Sequence, residues 1–187
     1  MGNLLRVLDF AREQVARVLK PGDTALDATC GNGKDTVFLA GCVGPGGKVF
    51  AFDIQDRAVD NTARLLTSHG LADRVSIFKR SHEEIHQWVS GPLKAAMFNL
   101  GYLPGGDHGI ITRPESTIKA LESVFAFLVP GGLVSVVAYS GHPGGGEEAK
   151  RVREYLEGLD QREYSVLHYQ YINQANQPPQ LYLTEKL

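Results

Sequence analysis

"LDATCGNGKDTVFLA", residues 26–40, is the stretch on which the fold turns. A short apolar run ends in an acid, Asp27. A turn of small residues with two glycines, Gly31 and Gly33, follows, and the spacing becomes helical from Lys34. Strand, glycine turn and helix start in that order build a ligand site beyond the carboxyl end of a strand in an open α/β sheet. The glycines permit positive φ and a close backbone approach. A helix beginning near Lys34 presents free N–H groups.

Working outward, the pattern repeats. Before this stretch, Leu4, Leu5, Leu8, Val15, Val18 and Leu19 recur at helical spacing, and "KPGD" (20–23) stops that helix. "TALDAT" (24–29) reads as a buried strand and 34–43 as a helix ended by "GPGG" (44–47). The alternation continues with a strand at 48–54, a helix at 56–70, a strand at 74–80, a short helix at 82–89 and a strand at 94–100. A helix at 113–128, a strand at 132–139 and a helix at 146–159 follow. Two strands, 163–172 and 180–186, close the chain around a turn-rich loop at 173–179. The expected fold is α/β and Rossmann-like: a doubly wound, mostly parallel sheet, with the last two strands as an antiparallel hairpin at one edge. At 187 residues the chain has the size of one domain, 1–187.

Composition excludes several classes. Hydrophobic residues are 43% and charged residues 21%, the balance of an ordinary globular chain. The net charge of −2 lacks the basic surplus of a protein that grips a long duplex, so any nucleic-acid contact is local. Cys30 and Cys42 fit neither a zinc site nor a disulfide framework. Their use, and an N-terminus with no continuous apolar segment, lead to the expectation of a cytoplasmic protein without a membrane span.

Two cofactors compete for the glycine turn. A dinucleotide asks for a third glycine where Thr36 stands, after Asn32, Gly33, Lys34 and Asp35. Asp27 would repel a pyrophosphate and suits the ammonium of an amino acid. Asp53 ends the second strand, at the place where an acid accepts hydrogen bonds from ribose hydroxyls. An ammonium site and a ribose acid together describe S-adenosyl-L-methionine. Thr29, Gly31, Asn32, Gly33, Asp35 and Thr36 would frame its methionine end, and Ile54 and Gln55 would lie along the adenosine. Ser81 and His82 are candidates for the adenine, with a plain helix-cap role the alternative for His82.

The acceptor side follows the fourth strand, in "FNLGYLPGGDHGI" (98–110). Asn99 can accept a hydrogen bond from an amine and aim its nitrogen lone pair at a methyl carbon, because in-line displacement rewards positioning. Tyr102 can stack on a nucleobase, beside Leu100 and Gly101. Asp107 and His108 can take up a proton, or simply orient the acceptor. Tyr139 and His142 belong to a loop over the same rim, and Arg113 to a helix that frames it. No ligand partner accompanies His142 at metal spacing, so no metal is expected.

Four blocks in this order, residues 26–40, "VFAFDIQ" (49–55), "FNLGYLPGGDH" (98–108) and "YSGHPGGGEE" (139–148), resemble the YtqB-like family from end to end. That family, also labelled an rRNA methylase family, belongs to the class I S-adenosylmethionine-dependent methyltransferases and includes the MnmM enzymes. The resemblance implies a seven-stranded sheet. It also implies N-methylation of the 5-aminomethyl group of 2-thiouridine at the tRNA wobble position, with an anticodon stem-loop as partner. The alternatives left open are another structured RNA, such as rRNA, and a free small-molecule amine. A homodimer, if formed, would use the N-terminal helix and the terminal hairpin.

Overall fold

A computed structural model describes residues 3–106 and 109–187. Its helices are α1 (Val7–Val18), α2 (Lys34–Val43), α3 (Asp56–Ser68), α4 (Ile85–Trp88), α5 (Pro114–Phe127) and α6 (Gly145–Glu157). The strands are β1 (Thr24–Asp27), β2 (Lys48–Asp53), β3 (Val75–Lys79), β4 (Leu93–Leu100), β5 (Leu128–Ala138), β6 (Tyr164–Tyr169) and β7 (Gln180–Lys186). All seven strands join one sheet in the order β3-β2-β1-β4-β5-β7-β6. The first five run parallel, and β7 lies antiparallel between β5 and β6. This is the class I methyltransferase arrangement. Strand order reverses between β1 and β4, which opens a crevice at their carboxyl ends.

Each face of the sheet is sealed by its own apolar cluster. Val7, Ala11 and Val15 of α1 pack with Leu39 and Val43 of α2 and Leu66 of α3 over Ala25, Met97 and Leu181. On the other face, Ile85, Leu121, Val124, Val152 and Leu156 cover Leu26, Phe52, Phe98 and Val136. The central strands read as continuous apolar runs because both of their faces are buried. β5 begins earlier than its sequence suggests. "VPGG" (129–132) reads as a break, yet Leu128 already pairs with Leu93, and a register shift between Leu93 and Ala95 absorbs the extra residues. Gly131, at φ +68°, makes that irregularity possible.

Gly33 fixes how α2 and α3 meet. Its φ is +81°, and a Cβ built there would lie 2.9 Å from Cα of Thr62 on α3. Gly33→Ala is therefore expected to lower stability by about 2–3 kcal/mol, combining left-handed strain with overpacking. Chemical denaturation would measure the loss.

Candidate active site

At the carboxyl ends of β1, β2 and β4 the crevice widens into a cavity of about 660 Å³. Most of the expected site residues line it: Thr29, Gly31, Asn32, Asp35, Asp53, Ile54, Gln55, Ser81, His82, Asn99, Leu100, Gly101, Tyr102, Tyr139 and His142. Asp107 and His108 lie outside the described residues.

Four expectations are corrected by the packing. Asp27 is fully buried and does not line the cavity. Its carboxylate accepts from Oγ1 of Thr36 at 2.6 Å and from the backbone N–H of Thr29 at 3.2 Å. It stiffens the turn from behind instead of meeting an ammonium. Thr36 is buried in that same contact. Gly33 faces α3, not the cavity. Arg113 flanks the start of α5 on the surface and does not reach the cavity wall.

Burial, reinforced by the nearby Asp35 carboxylate, pushes Asp27 up to about 7. Between its ordinary value of 3.8 and about 7, the folded chain keeps a proton that the unfolded chain has released. Stability therefore falls as pH rises through that window and levels off above it. Asp27→Asn keeps both hydrogen bonds, because its amide can accept from Thr29 and donate to Thr36. It is expected to be more stable than the parent above pH 7 by at least about 1 kcal/mol, and to flatten the decline. Urea unfolding across pH would show it.

Asp53 sits at the end of β2 with one oxygen held by the Gly31 N–H and the other by the Gln55 N–H, both at 3.0 Å. Each oxygen keeps a lone pair for a further donor. Burial raises this carboxyl above its ordinary value, and the backbone donors oppose that shift. His82 is buried beside Ser116, 3.3 Å away, and burial lowers it to about 4, so the ring is neutral at ordinary pH. Ser81 accepts the Glu83 N–H at 3.3 Å while lining the cavity.

Asn99 is held by two hydrogen bonds. Its backbone N–H donates to Oγ1 of Thr29 at 2.7 Å, and its side-chain NH₂ donates to Oδ2 of Asp35 at 2.5 Å. Its side-chain carbonyl oxygen is buried and meets no partner among the described residues. Tyr102, more than a third exposed, meets the His142 ring edge-on at 5.6 Å. The loop around Tyr102 is braced from below. The Gly101 N–H donates to Oγ1 of Thr112, and that hydroxyl and the one of Thr117 both donate to the buried Glu148 carboxylate, at 2.5 and 2.7 Å.

Several lining residues carried no recognisable signal. Arg12 and Leu8 reach in from α1, and Asn176 to Pro179 come from the loop before β7. Arg12 resembles any solvated helix charge, and the "NQANQPP" loop (173–179) resembles a plain connection. Asn176 and Gln177, at φ +65° and +48°, fold that loop inward. Glu148 did have a signal, since it ends one of the four conspicuous blocks.

Comparison with known proteins gives the family. Residues 49–185 match the family described as "Putative rRNA methylase". The chain is 38% identical over 180 residues to the chloroplastic tRNA (mnm(5)s(2)U34)-methyltransferase of Arabidopsis thaliana, a match covering 91% of this chain and 66% of that protein. It thus spans just under two thirds of that relative's length. A solved "putative rRNA-methylase" from Clostridium thermocellum is 48% identical, with a TM-score of 0.97 and 100% of both chains covered. A methyltransferase from Streptococcus mutans, solved with S-adenosylhomocysteine, is 36% identical, with a TM-score of 0.91 over 98% of this chain and 99% of that one. The match over most of its length, on this seven-stranded sheet, means that the chain belongs to the rRNA methylase family of methyltransferases.

Proposed function

We propose that the chain is an S-adenosylmethionine-dependent RNA methyltransferase that converts the 5-aminomethyl group of a wobble (2-thio)uridine in tRNA to 5-methylaminomethyl. The observation that carries this reading is the Asn99 carbonyl oxygen, buried near the switch point without a partner among the described residues, in a residue that shares the cavity wall with the exposed Tyr102. An amine N–H suits that oxygen, and a base suits the ring. The activity for which the Arabidopsis relative is named supports the same substrate.

The residues present fit the cofactor. Asp53 offers two lone pairs to ribose hydroxyls, neutral His82 and Ile54 flank the adenine end, and the Thr29–Asn32 turn borders the methionine end. The bound sulfonium supplies an electrophilic methyl group. The chain's own work is then positional. Asn99 accepts an N–H of the neutral amine, Tyr102 supports the base, and Leu103 and Ile111 narrow the cavity between them. Lys34 and Arg80 stand at the cavity wall with their charges available to a few phosphates. So local a set of contacts suits one anticodon stem-loop and a net charge of −2.

Mass spectrometry of tRNA nucleosides from a strain lacking the gene tests the substrate. Accumulation of the 5-aminomethyl precursor is expected. A normal tRNA profile with a missing methyl group on rRNA would favour the ribosomal substrate that the family's description names.

A further inference from the structure

Arg12 lies on α1, away from the loops that bear the rest of the site, yet its guanidinium reaches the cavity wall. Its Nε donates to Oδ1 of Asp35 at 2.7 Å, and its Nη2 lies 2.6 Å from the same oxygen. The other Asp35 oxygen accepts the Asn99 NH₂ at 2.5 Å. The Asp35 side chain is only 10% exposed, so water competes little for these bonds.

Polarity forces every link. A guanidinium only donates, and an ionised carboxylate only accepts. The side of the Asn99 amide that faces Asp35 must therefore be its NH₂. An isolated asparagine can turn either end of its amide toward a ligand. This one can turn only its carbonyl away from Asp35, and that buried oxygen has no partner among the described residues.

We propose that Arg12 is a positioning residue for methyl transfer: through Asp35 it locks the Asn99 amide with its carbonyl toward the acceptor amine. The assignment rests on the methyltransferase reading above. Arg12 touches neither substrate nor cofactor in this role. It determines which way a dipole points two residues away, and so whether an amine donor is met by an acceptor or by another donor.

The relay can be inverted without removing a bond. In Asp35→Asn, Arg12 can bond only the carbonyl of the new amide, which turns its NH₂ toward Asn99. Asn99 must then rotate its own carbonyl inward and its NH₂ toward the amine. The exchanged double variant, Asp35→Asn with Asn99→Asp, reverses the bond between the two side chains and again leaves an acceptor oxygen toward the amine. Adding Arg12→Ala to Asp35→Asn removes the compulsion, leaving the new amide free to turn.

In steady-state assays, Asp35→Asn is expected to lower kcat by about 100-fold, the scale of a misplaced catalytic group, with KM changed by no more than about threefold. The exchanged double variant should recover at least about tenfold of that loss, and Arg12→Ala in the Asp35→Asn background should also raise kcat. A purely structural ion pair between α1 and α2 would give neither recovery, because each added change would only weaken the fold further. In ¹⁵N spectra the Asn99 side-chain NH₂, assigned by its loss in Asn99→Ser, should shift in Asp35→Asn as it leaves the carboxylate. Failure of both recoveries, or an unmoved resonance, overturns the proposal. Parent protein that methylates no RNA overturns the functional reading alone, since the resonance still reports the lock.

Discussion

Asn99→Ala is expected to lower kcat by about 1,000-fold or more while leaving cofactor affinity within about threefold. The backbone N–H of Asn99 holds Thr29 and survives the substitution, so the turn beneath the cofactor keeps its shape. What disappears is the acceptor for the amine. Without it the amine rotates freely, and its lone pair meets the methyl carbon only in a small fraction of orientations. Asp35 retains its ion pair with Arg12 and stays oriented. Isothermal titration with S-adenosylhomocysteine beside a single-turnover assay separates the two effects. Equal losses in both would mean that Asn99 serves the cofactor and not the acceptor.

Asp53→Ala is expected to act on the other half of the site, weakening the cofactor by about 100-fold or more. Two charge-assisted hydrogen bonds to ribose hydroxyls are lost, each worth about 1.5–3 kcal/mol. The same carboxylate satisfies the Gly31 and Gln55 N–H groups. Losing it also loosens the glycine turn, so the melting temperature should fall together with the affinity. Titration well below that temperature isolates the binding term. Unchanged affinity would show that the ribose is held elsewhere.

These two predictions draw on parts of the site that differ in how openly the sequence displays them. The fold was plain in the alternation of buried runs and amphipathic stretches, because parallel strands covered on both faces leave continuous apolar segments such as "VFAF" (49–52). The place of Asp53 and Asn99 on the cavity wall was legible because the crevice of such a sheet lies beyond the carboxyl ends of its strands, and each stands at the end of an apolar run. Asp27 misled for the same reason. It ends a strand too, but α2 and Thr36 close over it, and a linear pattern does not reveal which strand-end acid is capped from within. Arg12 was illegible altogether. Its importance arises only when α1 folds against the sheet and brings it to Asp35, 23 positions later in the chain. The loop before β7 was hidden likewise, since only the inward fold at Asn176 and Gln177 turns a polar connection into a cavity wall.

The three acids thus divide by depth. Asp27 braces the turn, Asp53 lies at the cavity wall, and Asp35, at the start of α2, bonds both Arg12 and Asn99.

The most direct measurement is reconstitution: purified protein, S-adenosylmethionine and an anticodon stem-loop carrying 5-aminomethyl-2-thiouridine at the wobble position, read by nucleoside mass spectrometry. The account predicts stoichiometric gain of one methyl group on the aminomethyl nitrogen, with none on a stem-loop bearing unmodified uridine. A protein that binds the cofactor but leaves the aminomethyl nitrogen unmethylated would contradict it.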